Sequence, residues 1–88
     1  MIDYRPGIFS VVGEERKSQD EKWGANRDLD DRTWAVVLME EVGEVANSIL
    51  EYDDEELFTE LVQVAAVAVA WMENILKRED ENGGFGNE

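Results

Sequence analysis

The sequence predicts an all-α fold, an antiparallel bundle of about three helices completed by oligomerisation. Apolar residues recur at helical spacing in three segments, strand-like alternation is nearly absent, and the last segment is apolar almost all round between residues 64 and 72. A helix that is apolar on every side needs cover on every side. Three helices in 88 residues do not supply it, so the chain is expected as an obligate homo-oligomer, a dimer or a tetramer.

The first helix is expected from about Pro6 to Lys22. Pro6 suits a first helical turn, and Ile8, Val11, Val12, Gln19 and Trp23 follow a helical spacing. The helix should end near Trp23-Gly24, before the polar loop GANRDLDD at 24–31, in which Asp30 or Asp31 caps the second helix. That helix is expected from about Arg32 to Glu51. Its Leu38, Val42, Val45, Ile49 and Tyr52 fall in a stripe roughly 80° wide at about 100° per residue, which reads as a core face. The acidic turn YDDEE favours the start of a third helix through capping and the helix dipole. The third helix is expected from about Glu55 to Arg78, with Leu57, Leu61, Val64, Ala65, Ala68, Met72 and Ile75 on one face and Val67, Val69 and Trp71 on a second. Trp34 is expected in core or interface and Trp71 in interface packing. Residues 1–79 read as one domain and 80–88 as a polar, glycine-bearing tail expected to be disordered.

Composition removes whole classes of chemistry. There is no cysteine, hence no disulfide, thiolate nucleophile or thiolate metal site, which suits a cytoplasmic setting. Nor is there histidine, so imidazole bases and imidazole-bound zinc or iron are excluded. Carboxylate, amide, hydroxyl and Lys/Arg chemistry remains, and it suits a hard cation such as Mg²⁺ or Mn²⁺. The net charge of −14 repels phosphate backbones and anionic lipid, so neither nucleic acid nor a membrane is an expected partner. The start MIDYRPG lacks the pattern of a signal peptide, and the longest apolar run, Val64 to Met72, is shorter than a bilayer span.

Against that background MEEVGEVA stands out, because Glu40, Glu41 and Glu44 lie inside a mostly apolar helix. Glu41 borders the core stripe, and Glu40 and Glu44 lie further round. On the third helix Glu60 and Gln63 repeat the i, i+3 relation of Glu41 and Glu44, and a short turn makes the two helices antiparallel neighbours. Helical rise brings Glu41, Glu44 and Glu60 to similar heights with Gln63 adjacent. Such a group of like charges either faces solvent or gathers around a cation. On the first helix Arg16, Gln19 and Trp23 share a face with Lys22 alongside, which suggests phosphate contact and a stacking surface for a base. Trp23 reads equally as a core anchor for the loop.

The pair Glu41-Val-Gly-Glu44 and Glu60-Leu-Val-Gln63 resembles the ExxE…ExxD signature of the MazG-like, all-α nucleoside triphosphate pyrophosphohydrolases. The words EERKSQDEKWG, LMEEVGEVANSIL and ELVQVAAVAVAW resemble the small single-domain members, and the likeness spans about residues 14 to 76. The family's last acid is Asp, whereas Gln63 offers a neutral carbonyl oxygen. The resemblance implies Mg²⁺-dependent hydrolysis of a nucleoside triphosphate to monophosphate and pyrophosphate, as in removal of non-standard nucleotides. Glu41, Glu44, Glu60 and Gln63 would hold metal, with Glu40 and Glu41 as catalytic candidates. Glu40 would orient or deprotonate the attacking water, or support the metal ligands from behind. Arg16, Gln19, Lys22 and Trp23 would bind substrate. Two alternatives stand beside this reading. One is a non-catalytic helical nucleotide-binding or regulatory module with a weakened metal site, and the other a related enzyme acting on a phosphoribosyl-ATP type of substrate.

Overall fold

The computed structural model describes residues 1–25 and 27–84. It contains three helices, α1 (Arg5–Trp23), α2 (Asp31–Leu50) and α3 (Asp54–Glu81), and no strand among the described residues. Each boundary has a local cause. Pro6 occupies the first turn of α1, and Gly24 ends it at φ 94°, a left-handed conformation natural to glycine, with its N–H bonded to the Asp20 carbonyl at 2.8 Å. Of the two capping candidates Asp30 is the one used: its carboxylate accepts from the Thr33 N–H at 2.8 Å. Asp53 caps α3 in the same way through the Glu56 N–H at 3.0 Å. The turn between α2 and α3 is only Glu51–Asp53, and Tyr52 takes a left-handed φ of 56° within it. The α3 helix continues through Glu81. The tail expected to be disordered lies outside the described residues from 85 to 88.

The long α3 is the centre of the fold. Both α1 and α2 pack on it, and among the described residues they do not pack on each other. Val12 of α1 meets Val62 and Ala66, while Trp34 of α2 meets Val67 and Ala70. Trp34 is the anchor of the core, at 1% exposure. Its indole N–H donates to the Asn74 Oδ1 at 3.3 Å, and the Asn74 Nδ2 donates to the Arg27 carbonyl at 3.1 Å. That buried amide ties the α1–α2 loop to α3.

The buried faces differ from the expected ones. On α2 the covered stripe runs through Trp34, Leu38, Glu41, Val45 and Ser48, whereas Val42, Ile49 and Tyr52 are exposed. It is rotated by roughly 40° toward the glutamates relative to the apolar stripe in the sequence. On α3 the residues Val62, Ala66, Val67, Ala70 and Asn74 are buried, while Leu61 and Met72 are exposed. On α1 only Val12 and Gln19 are buried, and Ile8, Val11 and Trp23 are exposed. The reason is common to all three helices: a single chain has no further layer to cover its most apolar sides. Trp71 is half-buried, and its indole N–H donates to Asp31 at 2.9 Å. By length and composition α3 is long and apolar enough to cross a membrane, because its flanks extend the Val64–Met72 run; it is also the helix on which the other two pack.

Candidate metal and nucleotide site

Because α1 and α2 touch α3 but not each other, a cleft of about 350 Å³ opens between them with α3 as its floor. Glu41 and Glu44 line it from α2, Thr59, Glu60 and Gln63 from α3, and Glu15, Ser18, Gln19, Lys22 and Trp23 from α1. The rotation of α2 turns Glu41 inward, so that both Glu41 and Glu60 are half-buried. Their carboxyl groups are in hydrogen-bonding contact across the two helices.

Such contact requires a shared proton. Desolvation, a hydrogen bond with Glu56 one turn earlier, and the charges of Glu41, Glu56 and Glu44 push the Glu60 carboxyl up to about 7. Glu41 is also raised, by desolvation and by the charges of Glu44, Glu40 and Glu15, although its contact with Glu60 pulls it down. The two carboxyls titrate together, and burial and the surrounding acids raise both.

Not every sequence-predicted residue belongs to this cleft. Glu40 is exposed and borders an apolar groove with Ala35, Val36 and Met39 on another side of α2. Arg16 faces a second cleft of about 210 Å³, shared with Arg27, Glu73, Asn74 and Lys77. Its Nε donates to Glu73 at 2.7 Å and its Nη2 to Asp20 at 2.7 Å. It reaches the acidic cleft only by relay: its Nη1 donates to the Gln19 Oε1 at 3.1 Å, and the Gln19 Nε2 donates to the Gln63 Oε1 at 3.4 Å. Arg16 and Gln19 are only roughly 60° apart around α1, so spacing alone leaves the side open. The distant Glu73 decides it.

Lys22 and Trp23 do lie at the cleft. Trp23 is 51% exposed, with the Lys22 Nζ 4.9 Å from its ring centroid. The Arg27 guanidinium lies 5.2 Å from the Trp23 centroid and 5.1 Å from that of Trp34, a cation between two indoles. Sequence reasoning leaves Arg27 open, as a loop arginine that could reach a triphosphate or lie in solvent, and misses Asn74, Glu15 and Glu56. Of these, only Glu56 carries a signal in the sequence, its i, i+4 spacing to Glu60.

The donor set can be weighed against a divalent ion. Among the described residues no three Asp, Glu, His or Cys side chains are positioned to enclose one unaided. Mg²⁺ seldom needs such a cage; it takes one or two carboxylates and completes its shell with waters and substrate phosphates. The touching Glu41 and Glu60, with the Gln63 carbonyl and the exposed Glu44 beside them, fit that pattern. Comparison with protein-family models, with curated proteins and with solved structures finds no match for this chain.

Proposed function

We propose that this chain is a MazG-like nucleotide pyrophosphohydrolase of the cytoplasm, dependent on Mg²⁺ or Mn²⁺. It would cleave a nucleoside triphosphate between its α and β phosphates to the monophosphate and pyrophosphate, with non-standard nucleotides as natural targets. The observation that carries this reading is the carboxyl contact of Glu41 and Glu60 at the bottom of a cleft whose opposite wall holds Lys22 and Trp23. Two half-buried carboxylates held together want a cation, and a cation there wants an anionic ligand.

Glu41, Glu60, Glu44 and the Gln63 carbonyl are the groups that would hold the ion. When bound, it offsets the charge of the phosphate oxygens and the charge that develops as the α–β link breaks. Lys22 supplies a point charge for the phosphates from the facing helix, and Trp23 an indole for the base. Gln19, held by Arg16, fixes the orientation of the Gln63 amide. Glu40 lies outside the cleft, so taking a proton from the attacking water falls to Glu44 or Glu15, both of which line it.

A panel of triphosphates with Mg²⁺, scored for pyrophosphate release and repeated with Glu41→Gln, tests the reading. Loss of turnover on the order of 100-fold in the variant is expected. No turnover on any nucleotide, or turnover indifferent to Glu41, would remove the catalytic role. Gln63 favours a second reading, a nucleotide-binding module without catalysis, since its amide adds no charge and is engaged by Gln19. Nucleotide binding with Mg²⁺ but no pyrophosphate release is its signature.

A further inference from the structure

We infer that the second cleft, the one that Arg16 faces, binds a small phosphate anion through Arg27 and Lys77 without the help of a metal. The inference is independent of the proposed activity. Most polar groups around this cleft of about 210 Å³ are already engaged. The Arg16 guanidinium donates to Glu73, Gln19 and Asp20. The Asn74 amide accepts from the Trp34 indole and donates to the Arg27 carbonyl. Two cations on the lining are left, the Arg27 guanidinium from the loop and the Lys77 ammonium from α3. Among the described residues Arg16 pairs with Asp20 and Glu73 and Arg78 with Asp31, while neither Arg27 nor Lys77 makes an ion pair.

Arg27 is held in place without being satisfied. Its guanidinium is half-buried, 5.2 Å from the Trp23 centroid and 5.1 Å from that of Trp34. Indole faces attract the charge but do not replace the oxygen acceptors that a guanidinium fork takes in its own plane. A phosphate supplies such acceptors, and its tetrahedral oxygens also reach a second cation on another wall, whereas a lone carboxylate is filled by the fork. Charge favours this cleft over its neighbour. Arg16, Arg27 and Lys77 stand against Asp20 and Glu73, a net of +1 in a chain of −14, while the acidic cleft sets Lys22 against Glu15, Glu41, Glu44 and Glu60. Size limits the occupant to the anion itself. The cleft is smaller than the ~300 Å³ at which sites for larger organic ligands begin, and Trp34, at 1% exposure, has no open face for a base.

Titration calorimetry of inorganic pyrophosphate into the full chain, at low salt and in chelator, tests the inference apart from any metal chemistry. One saturable site per chain is expected. Arg27→Gln and Lys77→Gln should each weaken it about ten-fold or more, the worth of a lost charge-assisted hydrogen bond. Lys22→Gln makes the same change in net charge beside the acidic cleft and should weaken it far less. Absence of binding to the unaltered chain overturns the inference, as does binding indifferent to both Arg27→Gln and Lys77→Gln. An equal loss in Lys22→Gln would move the anion to the acidic cleft and overturn it too. Should Arg27→Gln loosen the loop, Lys77→Gln decides alone, because Lys77 is exposed and pairs with no carboxylate among the described residues. A chain that binds pyrophosphate in chelator yet hydrolyses no nucleotide with Mg²⁺ would keep this site and lose the proposed activity.

Discussion

Glu41 on α2 and Glu60 on α3 meet carboxyl to carboxyl, 19 positions apart in sequence, in surroundings that push the Glu60 carboxyl up to about 7. Two helices that pack through Trp34, Val67 and Ala70 at one end thus hold opposed acids further along the same seam. That juxtaposition predicts a stability that depends on pH and, on the proposed function, on divalent ions.

In the unfolded chain Glu60 titrates near its ordinary 4.5, and in the folded chain near 7. Between those values the folded state holds a proton that the unfolded state lacks, so stability must fall as pH rises through the window. Metal-free protein should therefore melt at a lower temperature at pH 8 than at pH 5.5. Millimolar Mg²⁺ should recover more of the melting temperature at pH 8, where the carboxylates are charged. Calorimetry in chelator and in Mg²⁺ reads both effects. A melting temperature that climbs from pH 5.5 to 8 in chelator would contradict the shared proton.

Gln63→Asp adds a charge beside the pair without removing an acceptor for the Gln19 amide. For an enzyme with a weakened metal site, Mg²⁺ affinity should rise about ten-fold, worth ~1.4 kcal/mol. Titration calorimetry measures it, and unchanged affinity would favour the binding module.

Lys22 and Arg16, two cations of the same helix, should respond differently to substitution around them. Lys22→Ala should weaken nucleotide binding several-fold and flatten its dependence on salt, because Lys22 borders the cleft. Glu73→Gln, which releases one of the carboxylates holding Arg16, should lower stability while leaving nucleotide affinity nearly unchanged. Equal losses of affinity would return Arg16 to the phosphates.

Asn74→Ala would leave the Trp34 indole N–H buried without an acceptor and release the Arg27 carbonyl from α3. A loss of about 1–3 kcal/mol is expected. Urea unfolding followed by tryptophan emission would show it as a lower midpoint. A stability equal to that of the unaltered chain would mean that the loop holds itself.

Much of this is legible in the sequence. Pro6, Gly24, Asp30 and Asp53 fix where the helices begin and end through local dihedral and capping chemistry, which depends on neighbours a few residues away. The i, i+3 acids and the short turn are enough to place Glu41, Glu44, Glu60 and Gln63 on one cleft. Which side of each helix is covered is not legible. Periodicity reports where the apolar residues are, and in this chain they mark two different surfaces, the seam that α2 shares with α3 and the open face beside it. Only packing distinguishes these, by seating Trp34 against Ala70 and turning Glu41 inward. Packing also takes Arg16 out of the site, since a long side chain on a helix flank goes to whichever carboxylate the tertiary structure offers, here Glu73, 57 residues away.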